Sequence, residues 1–167
     1  MNKLKKSFKN YYVLNDISGI LFWDNATNLP SESIASRSEQ MSILSEYTDT
    51  IFRSSEIINE ISSINPSDLD EINLKNFKLM KEIISRENAV DSSLKSKLIQ
   101  QKLKCEHLWR KARQENNSLI IEKEFNYLLS LVKEEASQLS DATQLNPYNS
   151  LISKYDMDYN SSKIDNI

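Results

Sequence analysis

Chemistry needs ionisable or nucleophilic side chains at spacings that let them meet, and this chain of 167 residues offers few such sets. Its single histidine, His107, stands in the run Cys105-Glu106-His107. Two residues apart on a helix, Cys105 and His107 point about 200° away from each other and cannot share a metal. Cys105 falls on an apolar stripe. His107 shares the opposite face with Arg110 and Lys111, so it reads as a surface histidine before it reads as a ligand or an acid–base group. Glu134 and Glu135 are adjacent and diverge on a helix, which makes them a solvated face and not a paired-carboxylate site. Asp68, Asp70 and Glu71 sit near a helix start, where negative charge offsets the macrodipole. A calcium loop there would need an ordered ligand spacing and a glycine that are missing. Serines are frequent, but none stands in G-x-S-x-G or beside a base. One constellation remains, around a helix end: Trp23 and Asp24, then Pro30, then Arg37 and Gln40. Trp23 reads as a core or inter-helix anchor. Asp24 can close the helix end or pair with Arg37. Arg37 and Gln40, on one helical face, can hydrogen-bond the turn over residues 24–30 or bind a ligand, the first reading being preferred.

Such residues need rigid elements to hold them. One glycine and three prolines leave few turn signals, which favours long helices over many short strands. We expect an all-α fold, a bundle-like array of about five long helices with one or two short ones. The first helix covers residues 4–23. Leu4, Phe8 and Tyr11 form one stripe; Val13, Ile17, Ile20 and Leu21 form another, as if several neighbours gripped it. Gly19 inside it costs about 1 kcal/mol relative to alanine, and a close neighbour could justify it. A break over 25–31 follows, since the residue before Pro30 is pushed out of the α region. The second helix starts near Ser33, buries Ile34, Met41, Leu44 and Ile51, bends near Ser54 and Ser55, and continues through Ile57, Ile61 and Ile64. Pro66 suits the first turn of a third helix over 67–87, with Leu69, Ile72, Phe77, Met80, Ile83 and Ile84 on its apolar side. Asp91 or Ser92 caps a fourth, running to 115 with Leu94, Leu98, Cys105, Leu108, Trp109 and Ala112. The fifth carries Ile121, Phe125, Leu128, Leu129, Val132, Ala136 and Leu139, and a short helix follows over 148–154.

Composition narrows the function. A net charge of −3 with both signs interspersed argues against nucleic-acid binding, which needs a basic surface. No run of about 18 apolar residues is present to span a membrane. The basic start (Lys3, Lys5, Lys6, Lys9) lacks the apolar stretch of a signal peptide, and one cysteine permits no internal disulfide, so the expected location is cytoplasmic.

The order W-D-x-x-T-x-x-P followed by R-x-x-Q over residues 21–44 resembles the N-terminal region of the carboxypeptidase Taq family of zinc metallocarboxypeptidases. Trp109, Ala112, Arg113, Glu115 and Asn116 resemble the family's W-x-x-A-R-x-E-N-D-F stretch, with Asn117 and Ser118 replacing its Asp and Phe. Residues 131–139 are similar to its hydrophobic helix leading into an R/K-E-x-A pattern. Pro147, Tyr148, Leu151 and Tyr155 fit P-Y-x-x-L-x-x-x-Y, followed by an acidic turn at Asp156 and Asp158. The signature positions are thus Trp23, Asp24, Pro30, Arg37, Gln40, Trp109, Arg113, Asn116 and Tyr148, structural by default; beside a substrate cleft is a second reading for Trp23.

The resemblance implies that residues 1–155 form the family's N-terminal helical region, a lid or wall over a deep cleft. Residues 156–167 then open its next segment and are expected to be poorly ordered. It implies zinc, or a similar divalent metal, in the full-length enzyme, held by two histidines of an H-E-x-x-H helix and a downstream glutamate, with peptide as substrate. One histidine cannot supply H-E-x-x-H, so no catalytic, metal or cofactor residue carries over to this chain. The expectation is an N-terminal fragment, inactive alone, whose partner is the catalytic portion or a separate complementing chain. The alternatives are a free-standing helical interaction module or one half of a split peptidase.

Overall fold

In the computed structural model the structure describes residues 1–156 and 160–165. Asp158, the second residue of the expected acidic turn, lies outside them. The described residues are all-α: α1 (Asn2–Thr27), α2 (Ile34–Arg53), α3 (Ser55–Ser63), α4 (Glu71–Ala89), α5 (Ser92–Gln114), α6 (Leu119–Thr143), α7 (Pro147–Ile152) and α8 (Ser161–Ile164). Short 3-10 turns at Ser31–Ser33 and Pro66–Asp68 lead into α2 and α4. The five expected long helices are α1, α2, α4, α5 and α6. The bend expected near Ser54 is a full break. Ser54 adopts extended backbone, and its hydroxyl accepts from the Ile57 amide to cap α3.

Asp70 caps α4 by accepting from the Asn73 amide at 2.8 Å, which explains the acidic residues there. The expected cap of α5 is not made. The Asp91 carboxylate accepts from Gln138 Nε2 of α6 instead, and the Asp91 amide donates back to Gln138 Oε1. Ser92 turns its hydroxyl to Asp49.

Two apolar cores result. Leu4 and Phe8 of α1 meet Phe52 of α2, Ile57 of α3 and Phe77 and Ile84 of α4. The Phe52 ring lies 4.7 Å from Phe8 and 4.6 Å from Tyr11. Val90, Leu94 and Leu98 meet Leu131 and Leu139 of α6 in the second. Between them runs a buried charge network. Asp49 of α2 accepts from Arg53 Nε and Lys95 Nζ, each at 2.5 Å, and Lys95 also reaches Glu87 at the end of α4. Tyr11 donates to Glu87 at 3.0 Å, adding α1. Burial, and after it the Glu87 carboxylate, raises the Tyr11 phenol above its ordinary pKa, so it stays a donor.

Several expected burials are corrected. The second stripe of α1 is not gripped: Val13, Ile17 and Ile20 are exposed, because only the opposite face meets α2 and α3. Gly19 has no close neighbour, since a Cβ there meets nothing within 4 Å. Ile72, Phe125 and Leu129 are exposed, and Leu131 takes the inward position on α6. Glu135 is not on a solvated face. It is 8% exposed and pairs with Lys154 at 2.6 Å where α7 folds back on α6.

Candidate functional site

The first two signature segments meet at one corner. α1 continues past Trp23 to Thr27 because the amides of Asn28 and Leu29 both donate to the Asp24 carbonyl, closing the helix just before Pro30. Pro30 is extended and starts the 3-10 turn that feeds α2. Arg37, one turn into α2, then reaches back. Its Nη2 pairs with Asp24 at 2.7 Å, its Nη1 donates to the Leu21 carbonyl at 2.7 Å, and its Nε donates to Gln40 Oε1 at 3.0 Å. The Arg37 side chain is only 12% exposed; its charge is offset by the Asp24 carboxylate, and each of its three nitrogens has a partner. The expected Asp24–Arg37 pair is present. Within residues 24–30 Arg37 holds the first residue, Asp24, and its second bond goes back into α1 at the Leu21 carbonyl.

α5 closes the other side of this corner through residues the sequence did not single out. Asn25 Nδ2 donates to Glu106 Oε2 at 3.1 Å, and Arg110 donates to the Ala26 carbonyl at 2.9 Å while pairing with Glu106. Asn25 is buried, which a polar residue tolerates only with such a partner. The spacing of Glu106 and Arg110 was a legible signal for an intrahelical pair. Its further reach to α1 was not legible.

A polar groove of about 460 Å³ lies between the α1–α2 turn and the second half of α5. His107 lines it, half-buried, with Glu106, Arg110 and Lys111. Among the described residues no group of three or more His, Cys, Asp or Glu side chains could hold a metal ion. Cys105 is buried, and burial raises its thiol pKa, which disfavours the nucleophilic thiolate.

The remaining signature residues separate into two places. Trp23 is 64% exposed, which corrects its reading as a core anchor: it lies on the uncovered face of α1. Trp109 is half-exposed, with the Arg113 guanidinium 5.5 Å from its ring. Asn116 has a φ of 50° and ends α5. Its amide donates to the Arg113 carbonyl and that of Asn117 to the Ala112 carbonyl, the paired bonds of a Schellman cap. Asparagine tolerates that left-handed conformation better than most residues. Tyr148 is exposed on α7, which packs on α6 and α8, and it does not join the corner. The corner is therefore a structural clamp beside a polar groove.

A family model described as carboxypeptidase Taq (M32) metallopeptidase matches residues 3–167. The chain superposes on Trypanosoma cruzi metallocarboxypeptidase 1 with a TM-score of 0.79 at 19% identity, covering 99% of this chain and 33% of that one. It superposes on a Pyrococcus furiosus carboxypeptidase with a TM-score of 0.75 at 17% identity, covering 99% and 34%. A structure named BsuCP gives a TM-score of 0.82 at 18% identity, covering 99% and 34%. At these identities the likeness is one of fold. The chain spans about a third of the length of these solved relatives. No curated protein matches it.

Proposed function

We infer the function from one premise: the chain belongs to the carboxypeptidase Taq family of metallopeptidases. In our reading these 167 residues are the N-terminal helical wall of a peptidase that removes C-terminal residues from peptides, and the metal chemistry belongs to residues beyond them. A metal is expected in full-length members of such a family, but the donor set here does not fit one. The sequence holds a single imidazole, and the described residues bring no three metal-binding side chains together. The observation that carries the reading is the reach of the family match over residues 3–167 in a chain with one histidine.

The wall's contribution is positional. The Arg37–Asp24 clamp and the Glu106–Asn25 bond fix the angle at which α1 leaves the bundle. That angle sets where the uncovered face of α1, with Trp23, Ile20 and Ile17, meets whatever packs on it. The partner we propose is the catalytic portion, in the same or a separate polypeptide. We place the chain in the cytoplasm, a reading its lone buried cysteine supports. Among the described residues no helix is long and apolar enough to cross a membrane.

The test is complementation. Given zinc and a peptide, the chain alone should release no C-terminal residues. Mixed with a polypeptide carrying the other two-thirds of a family member, it should restore release. Release by the metal-loaded chain alone overturns the placement of the chemistry. A complementing polypeptide equally active without this chain overturns the wall.

A further inference from the structure

A second cavity, remote from the α1–α2 corner, is unexplained by the family reading. It has a volume of about 420 Å³ and lies where α1 diverges from α4, α5 and α6, between the two apolar cores. That size is in the range of small-molecule sites. Its walls are mostly apolar: Ile83, Val90, Leu98, Ile99, Leu139 and the ring of Tyr11. Four cations, Arg86, Lys95, Lys102 and Lys154, also line it, against two carboxylates, Glu87 and Glu135.

The pairing of these charges indicates what is missing. Lys95 is held by Asp49 and Glu87, Lys154 by Glu135, and Arg86 by Glu82. Both carboxylates on the wall are thus already engaged. Lys102 has no ion-pair partner among the described residues. By accessible area Lys102 is an exposed residue; desolvation of the part of it against the cavity, and behind it the Lys154 ammonium, lower its pKa while the Glu135 carboxylate opposes the shift. A further donor is also unused: Arg86 Nε is buried with no acceptor. An unpaired buried donor is a cost that an acceptor within its reach would remove.

We propose that this cavity binds a small monocarboxylate with an apolar body, its charge at Lys102 and its hydrocarbon against Leu98, Ile99 and Tyr11. The one wall cation without an ion-pair partner matches one negative charge. An amino acid or an amine is disfavoured, because its ammonium would find no free carboxylate. The proposal is independent of the peptidase reading and of any complementing chain.

The experiment uses the 167-residue chain and calorimetric titration with 3-phenylpropionate. The comparison ligands are 3-phenylpropanol, 3-phenylpropylamine and L-phenylalanine, which keep the ring and change the charge. The carboxylate should bind saturably, at least about tenfold more tightly than each of the others, as a charge-assisted contact requires. Lys102→Gln should weaken it about tenfold. Lys97→Gln, five residues earlier on α5 and off the cavity wall, should leave it unchanged. No saturable binding overturns the proposal, as does equal binding of the alcohol, the amine or the amino acid. Wild-type affinity in Lys102→Gln overturns it too, since the carboxylate would then bind elsewhere.

Discussion

Gly19 is the residue whose chemistry is simplest to isolate. It lies in mid-helix with no positive φ, and a Cβ would meet open space. Its cost to the helix, roughly 0.5–1 kcal/mol relative to alanine, is therefore not offset by any close packing in this chain. Gly19→Ala should raise the stability by about that amount in urea unfolding, with an unchanged slope. A loss of stability would mean that the face is packed after all. The same residue shows what sequence could not supply. A helical glycine signals a close approach only if something approaches, and that depends on elements far along the chain. Asn116 is the opposite case. An asparagine just past a helix end is a local signal, and the Schellman cap makes it good. Asp24 and Arg37 were likewise legible, because complementary charges flank one short turn. Glu135 was not, since its partner Lys154 arrives only after α7 turns the chain back.

At the scale of elements, the five long helices were readable from apolar spacing, but the faces that meet were not. A helix with apolar residues on several sides does not say which side is covered: Phe52 is 1% exposed and was not singled out, whereas Trp109 was expected inside and is half-exposed. The charge network at Asp49 ties these elements together and makes their packing sensitive to acid. Burial alone would raise the Asp49 pKa, but hydrogen bonds from Lys95, Ser92 and Arg53 outweigh it and leave the pKa lowered. Glu87 faces the same cluster from α4. A carboxyl with a depressed folded-state pKa contributes stability that is present above its unfolded value and lost as pH falls through the folded one. Stability should thus decline below about pH 4, where an unfolded aspartate takes up its proton. Asp49→Asn should cost roughly 3 kcal/mol at neutral pH, because it leaves Arg53 and Lys95 without their shared anion. It should also flatten the decline below about pH 4. Urea unfolding of both proteins between about pH 3 and 7 reads the two effects together. An equal acid slope in wild type and variant would remove Asp49 from the account.

For the whole molecule, the telling feature is that α1 is dressed for neighbours it does not have. Tyr12, Val13, Ile17, Ile20 and Trp23 share one side of the helix and are all exposed, while Leu4 and Phe8 near its start are sealed into the first core. Monomers seldom leave contiguous apolar faces uncovered, and this chain spans only about a third of the length of its solved relatives. Stability and assembly should therefore separate along one helix. Phe8→Ala removes a ring packed against Phe52 and should cost about 3–5 kcal/mol in the isolated chain. Ile17→Glu combined with Ile20→Glu changes two exposed side chains outside both cores, and should stay within about 1 kcal/mol of wild type. The same pair should abolish association with a polypeptide carrying the rest of the family fold, because two carboxylates would be buried without partners. Unfolding curves and co-purification with that polypeptide measure the two halves separately. Undiminished association in the double variant would show that another surface carries the docking, and the exposed face of α1 would lose its assigned role.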